Sequence, residues 1–269
     1  YRKARQLGFS LDRTVRRLHL DPRVLDALPK EAPTGELRAA LLQCASPGRF
    51  LLDLQEAGLL FHLAPELAWQ FDGRPAGPQQ WHPEISQGLH LVLSLEWAAA
   101  RTQSFDERDR LAVMVAVLGH DLGKGLTPPA EWPGHAGHEH RGLKPLDALL
   151  ARFPGLADQR TKTLAAVVCE LHVLVRELHT LRPGTLARLY DEHFRAKDFP
   201  LELFAIAVGA DSGGRLGLES TGETARAKVA ADLQWLRSTC ERVDAAALRA
   251  AHPELSAFRA ALHEARARA

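Results

Sequence analysis

With 269 residues, 46% of them hydrophobic, the chain is long enough for one large domain or two small ones, and its composition is ordinary for a globular protein. A formal net charge of only +1 excludes a global basic field for nucleic acid and an acidic solvating tail, so any contact with RNA has to come from local patches. Three scattered cysteines, Cys44, Cys169 and Cys240, exclude a disulfide framework and predict buried free thiols in a reducing, cytoplasmic setting, and no apolar run approaches the ~18 residues of a membrane span.

Helix signals recur from the start of the chain. Tyr1 to Arg5 is basic, but no apolar stretch follows it, so it does not read as a signal peptide. A first residue other than Met is what a fragment or processed chain would show. Arg13, Arg16 and Arg17 read as a solvated helix face, and Asp21-Pro22 as a helix start. Ser46-Pro47 opens a further helix that Gly58 closes, with Phe50, Leu51, Leu54 and Ala57 at helical spacing on one apolar face. The Pro/Gly-rich segment 72–80 (DGRPAGPQQ) is the best internal boundary. It separates a neck-like helical region, 1–71, from a histidine-rich domain, 81–220. A second loop, Leu126 to Gly137, carries His135. Ser220 with Glu223 has the pattern of a capping box and predicts a helix to about Arg242. The C-terminal region, 221–269, reads as two helices split near Val243 to Ala245. No hairpin signal separates alternating apolar runs, and the class expected is all-α.

Four features between residues 82 and 215 carry chemistry. His90 lies in a mostly apolar helix. His120-Asp121 ends the apolar run VMVAVLGHDLGKG. GHAGHEHRG holds His135, His138 and His140. His172 is followed by Asp211 in AIAVGADSGGR. Imidazole and carboxylate together suit borderline divalent cations such as Mn, Ni, Co, Fe or Zn, with Mg a further possibility. Adjacent helical residues point roughly 100° apart, so His120 and Asp121 can share an ion only in the angle between them. His90 and Asp211, from other helices, could close that shell and leave positions open for water and substrate. Lys124 stands one turn beyond the pair and Arg215 four residues beyond Asp211, both suited to phosphate oxygens. His138 and His172 could hold a second ion with Asp121 bridging, or bind the phosphate directly.

Each residue alone has a plainer reading. A single His on an apolar helix is usually a hydrogen-bonded core residue, and a plain helix-start role is as good a reading of His82 as an orienting one. His19, His62, His179, His193, His252 and His263 read as surface or boundary residues. The set as a whole favours a metal site over coincidence by about ten to one. Competing signatures are missing: the sequence holds no phosphate loop, no nucleophile elbow and no Cys-x-x-Cys pair.

These residues resemble the HD superfamily of metal-dependent phosphohydrolases, whose signature is H…HD…D on helices. More narrowly the chain resembles the neck and C-terminal HD region of bacterial CCA-adding enzymes (tRNA nucleotidyltransferases). The resemblance rests on WHPEISQGLH (81–90), GHDLGKGLTPPAEWPGHAGH (119–138), ELH (170–172), ADSGGRLG (210–217) and the neck-like SPGRFLLDLQEAGLLFHLAPEL (46–67). It implies an HD helical bundle with flanking helices and a divalent metal on His90, His120, Asp121 and Asp211. Lys124, His138 and His172 would assist catalysis, with Arg215 and Lys124 on the substrate phosphate. The activities implied are 2′,3′-cyclic phosphodiesterase, 2′-nucleotidase and phosphatase on nucleotides or an RNA 3′ end, with tRNA and a second copy of the chain as further partners and no membrane. The alternatives are a nucleoside-triphosphate hydrolase with the same core, and a tRNA-binding or dimerisation module with an idle histidine cluster. The Gly-Ser loop and paired aspartates of the nucleotidyltransferase head are not in this sequence, so nucleotide addition is not assigned to it. The family pattern places an Arg two residues after the last Asp, where this chain has Gly213. Its Arg215 is retained, and His140 is an addition to the usual loop.

Overall fold

The computed structural model describes residues 2, 3, 25, 28, 29 and 31–269. His19, the Arg13–Arg16–Arg17 face and the Asp21-Pro22 start lie outside the described residues. Those described form helices and turns with no strand; the nearest approach is one isolated antiparallel bridge between Pro75 and Ser86. The class is all-α.

Among residues 31–80 four α-helices precede the histidine-rich region: α1 (Glu31–Gln43), α2 (Pro47–Glu56) and the short α3 (Leu60–Leu63) and α4 (Pro65–Ala68). Phe50, Leu51, Leu54 and Ala57 are buried, as their spacing requires, and Gly58 turns the chain at φ +72°. The centre of the molecule is α5 (Gln87–Arg101), α6 (Glu107–Gly119), α9 (Gln159–Leu171) and α11 (Leu201–Gly213). Residues Leu111 to Gly119 of α6 and Leu203 to Gly213 of α11 are buried without exception. A helix that is apolar on every side must be covered on every side. Accordingly α6 packs on α1, α5, α9 and α11, and α11 also packs on α12 (Thr221–Glu241). The remaining helices are α7 (His138–Arg141), α8 (Leu143–Arg152), α10 (Pro183–Leu189), α13 (Ala245–Ala251) and α14 (Leu255–Arg268). One continuous core draws on side chains from Leu37 to Cys240, and all three cysteines are buried in it with no disulfide between them.

Helix starts follow short polar side chains. Asp106 Oδ1 accepts from Asp109 N at 2.8 Å to begin α6, and Asp158 Oδ1 accepts from Thr161 N at 2.8 Å to begin α9. The capping box expected at Ser220 does not form. Ser220 has helical φ and ψ and makes no side-chain cap, and the Glu223 carboxylate is instead taken by Arg101 at 2.7 Å and Arg226 at 2.9 Å. A charge-assisted bond to arginine outcompetes the weaker box. The C-terminal region also departs from expectation. Besides the break after Arg242, the chain breaks again at His252–Glu254, where Pro253 disfavours helix in the residue before it, so three helices stand where two were expected.

Two glycine approaches fix the site. A Cβ on Gly123 would lie 1.8 Å from the carbonyl oxygen of His138 and 2.6 Å from Gly142 N. One on Gly214 would lie 2.7 Å from Ser94 N and Cα. The turn after α6 therefore lies backbone-to-backbone on α7, and the end of α11 on α5.

Candidate metal centre

Three helices bring their C-terminal ends to one point. His120 is the residue after α6, His172 the residue after α9, and Asp211 lies two residues before the end of α11. Exposed carbonyl groups give each such end a partial negative charge, and their convergence favours a cation. The first turn of α5 adds His90 and the start of α7 adds His138. All six side chains, Asp121 included, are buried. The backbone leaves the α-helical path at Asp121 (φ −108°, ψ 11°) and enters a 3-10 turn over Leu122–Leu126, so His120 and Asp121 are not successive residues of one regular helix. Their side chains meet, with Nε2 of His120 3.2 Å from Oδ2 of Asp121.

Asp121 is the hub. Oδ2 faces His120 and, at 3.6 Å, Nε2 of His90; it also accepts from Lys124 Nζ at 2.6 Å and Gln87 Nε2 at 3.1 Å. Oδ1 faces Nε2 of His138 at 3.1 Å and Nε2 of His172 at 3.6 Å. Asp211 Oδ1 lies 3.2 Å from His90 Nε2 and 4.0 Å from His120 Nε2, and Oδ2 pairs with Arg176.

The far side of each imidazole explains why the near side is free. Nδ1 donates to Gly214 O in His90 (3.0 Å), to Val117 O in His120 (2.7 Å), to His135 O in His138 (3.0 Å) and to Val168 O and Cys169 O in His172 (3.1 Å each). With Nδ1 carrying the proton, each Nε2 presents a lone pair to the centre. Nε2 of His138 and His172 face one another at 3.4 Å, acceptor against acceptor. Nε2 of His90, Nε2 of His120 and Oδ1 of Asp121 are buried and have no hydrogen-bond donor among the described residues. Buried acceptors left without donors are costly, and a cation resolves that cost. Among the described residues two groups are close enough to hold an ion, His90–His120–Asp121 and Asp121–His138–His172, and a third, His82–Glu84–His90, adjoins the first.

Burial lowers the pKa of His90, His120 and His172, the last to about 3, which keeps them neutral and ready to ligate at pH 7. Burial alone would raise the Asp121 carboxyl, but the groups packed round it, His120 and the Lys124 ammonium foremost, hold it well below the usual range, so it is ionised. Burial pulls the Lys124 ammonium down against the pull of Asp121.

The centre opens into a cleft of about 360 Å³ lined by Lys124, His138, His172, Arg176, Asp211 and Arg215, among others. Lys124 reaches it with its ammonium already held by Asp121 and by Ala76 O at 2.7 Å. Nε of both Arg176 and Arg215 is buried and has no hydrogen-bond partner among the described residues. Burial lowers both guanidinium values, Arg176 to about 10, and both remain charged at neutral pH. Such a pair suits an anion with several acceptor oxygens.

Arg176, Gln87 and Glu84 do not stand out in the sequence. Glu84 accepts from Nδ1 of His82 at 2.8 Å and of His90 at 3.0 Å, and from Leu216 N at 3.4 Å. His82 is thereby part of the site's surround, its ring edge-on to His90 with centroids 5.0 Å apart. His135 is buried and donates through Nε2 to Pro75 O at 2.8 Å, whereas His140 is exposed. Gly213 has a local explanation, because a Cβ there would lie 2.2 Å from Nε1 of Trp97.

No family model matches the chain. Among curated proteins it is 39% identical over 196 residues to the multifunctional CCA protein of Acinetobacter baumannii (strain AYE), covering 72% of this chain and 45% of the relative. It is 39% identical over 206 residues to that of Stenotrophomonas maltophilia (strain K279a), covering 74% and 48%. It is 40% identical over 197 residues to that of Alkalilimnicola ehrlichii (strain ATCC BAA-1101 / DSM 17681 / MLHE-1), covering 72% and 45%. The chain thus spans about half the length of the curated relatives it matches.

Proposed function

Starting from homology to the C-terminal part of multifunctional CCA proteins, we propose that this chain is a divalent-metal-dependent phosphohydrolase acting on 2′,3′-cyclic nucleotides and phosphomonoesters at nucleotide or RNA 3′ ends, in connection with tRNA. The observation that carries the proposal is Asp121, whose two oxygens face two sets of imidazole lone pairs beside Arg176 and Arg215, each with a buried Nε that has no partner among the described residues.

His90, His120, Asp121 and Asp211 would hold one ion; Asp121, His138 and His172 have the donors for a second. A divalent ion there supplies a bound water of lowered pKa and polarises a phosphoryl oxygen. Arg176 and Arg215 hold the phosphate at the cleft wall. Lys124 neutralises and orients Asp121, and it meets the phosphate only from behind that pair. Opening a cyclic diester adds water across one P–O bond and leaves a monoester with one more negative charge, which the same two arginines favour. A RNA-binding module would need neither orphaned acceptors nor a carboxylate bridging them.

The test is turnover of 2′,3′-cyclic AMP by chelator-treated protein supplied with Mn, Ni, Co or Mg. Turnover that returns with a divalent ion supports the proposal; none under any ion, with tight RNA binding, refutes it. Glu84 gives a second expectation. Glu84→Gln removes the anionic acceptor shared by His82 and His90, and metal affinity at the first site is expected to fall by about 10- to 100-fold. Calorimetric titration of the metal-free variant reads this without reference to activity; unchanged affinity would assign Glu84 to packing alone.

A further inference from the structure

Trp81 is 60% exposed and lines the same cleft that holds His138, His172, Arg176 and Arg215. Among the described residues its ring makes no aromatic or cation contact. A large aromatic left in water is ordinary when isolated, but this one is neither isolated nor loosely held. Val173, 42% exposed, lines the same cleft, and Ile85 and Leu216, 56% and 52% exposed, flank Glu84 and Arg215.

The segment that presents Trp81 is fastened to the metal centre at both ends. Ala76 O accepts from Lys124 Nζ, and Ala76 N donates to Ile85 O at 2.7 Å. Trp81 N and His82 N both donate to Pro78 O, at 2.9 and 3.1 Å. His82 then binds Glu84, and a Cβ on Gly77 would lie 2.4 Å from the His82 ring. Ile85 takes φ +62°, which a β-branched residue rarely adopts, and its N–H bond to His82 O at 3.0 Å holds it there. The backbone that carries this apolar plate is therefore held beside two cations that suit a phosphate.

Resting on the phosphohydrolase reading, we infer that Trp81 is a stacking platform for the nucleobase attached to the reacting ribose phosphate. The substrate class is then an unpaired nucleotide, free or at the end of a single strand. A paired base offers no face to the platform, whereas every unpaired base does, so the preference is for single strands over sequence. Trp81 sets affinity and specificity and takes no part in bond breaking.

The experiment is calorimetric binding of adenosine 2′-phosphate and of base-free ribose 2-phosphate to chelator-treated full chain, so that neither is consumed. Wild type is expected to bind the adenosine compound at least about tenfold more tightly than the base-free one. Trp81→Ala should abolish that ratio and leave ribose 2-phosphate within about twofold, while Trp81→Phe should restore most of the ratio. A ratio unchanged in Trp81→Ala, equal losses for both ligands, or binding of neither ligand to wild type would overturn the inference. Metal-dependent turnover with no effect of Trp81 refutes the platform alone. Trp81-dependent binding with no turnover under any metal refutes the hydrolase alone.

Discussion

Asp121→Asn is expected to lower kcat/KM for 2′,3′-cyclic AMP by ~10³-fold or more, about 4 kcal/mol of transition-state stabilisation. The substitution keeps the shape and one carbonyl oxygen and removes the charge. Both sets of imidazoles then lose the anion they share, since Oδ2 faces His90 and His120 and Oδ1 faces His138 and His172. An amide group also places an N–H where one set of lone pairs converges. Lys124 loses its carboxylate partner while remaining buried, so it too is driven toward the neutral form. Divalent binding, read by calorimetry, should weaken in parallel, with the helical circular dichroism of the metal-free protein unchanged. Activity within tenfold of wild type would remove Asp121 from the centre of the mechanism.

Gly123→Ala should be the most damaging small substitution outside the ligand set. Its Cβ would sit 1.8 Å from the His138 carbonyl oxygen and 2.6 Å from Gly142 N, both backbone atoms that cannot rotate aside. Relief requires α7 to move off the 3-10 turn, and α7 begins with His138. A loss of ~3 kcal/mol or more in stability is expected, visible as a fall of roughly 6–12 °C in Tm for a chain of this size, together with loss of activity. Gly35→Ala is the matched control. Gly35 lies within α1 with nothing among the described residues within 4 Å of the added carbon, so the change should be neutral or stabilise by about 0.5–1 kcal/mol. Equal Tm values for the two variants would contradict the close approach of turn and helix.

The parts of this fold that could be read from sequence are those where one residue type has one use. The helical class followed from apolar spacing such as Phe50, Leu51, Leu54 and Ala57, and all four are buried. His90, His120, Asp121, His138, His172 and Asp211 announced themselves because histidine and aspartate are rare at the ends of apolar runs, and the structure brings them together. Arg176 stayed hidden in VLVRE because an arginine near a helix end is usually solvated. Its position four residues beyond His172 was the only pointer. Glu84 carries no signal of its own in WHPEISQGLH, and its work depends on His90 being near in space, which spacing alone does not reveal. Ser220 and Glu223 failed as a capping box for the opposite reason: the local pattern was present, and Arg101, more than a hundred residues away, took the carboxylate. Local rules hold until a distant charge offers a better partner. Gly213 is similar, because only the packed Trp97 ring explains why no side chain stands there.

The most direct test of the account is the anomalous difference map of a crystal grown with saturating manganese. A peak is expected among His90, His120, Asp121 and Asp211, with the second donor set, Asp121, His138 and His172, as the place for a further one. An occupied first position would establish that the orphaned acceptors exist to hold a cation. A map without density in this cluster, from protein that binds manganese elsewhere or not at all, would contradict the account.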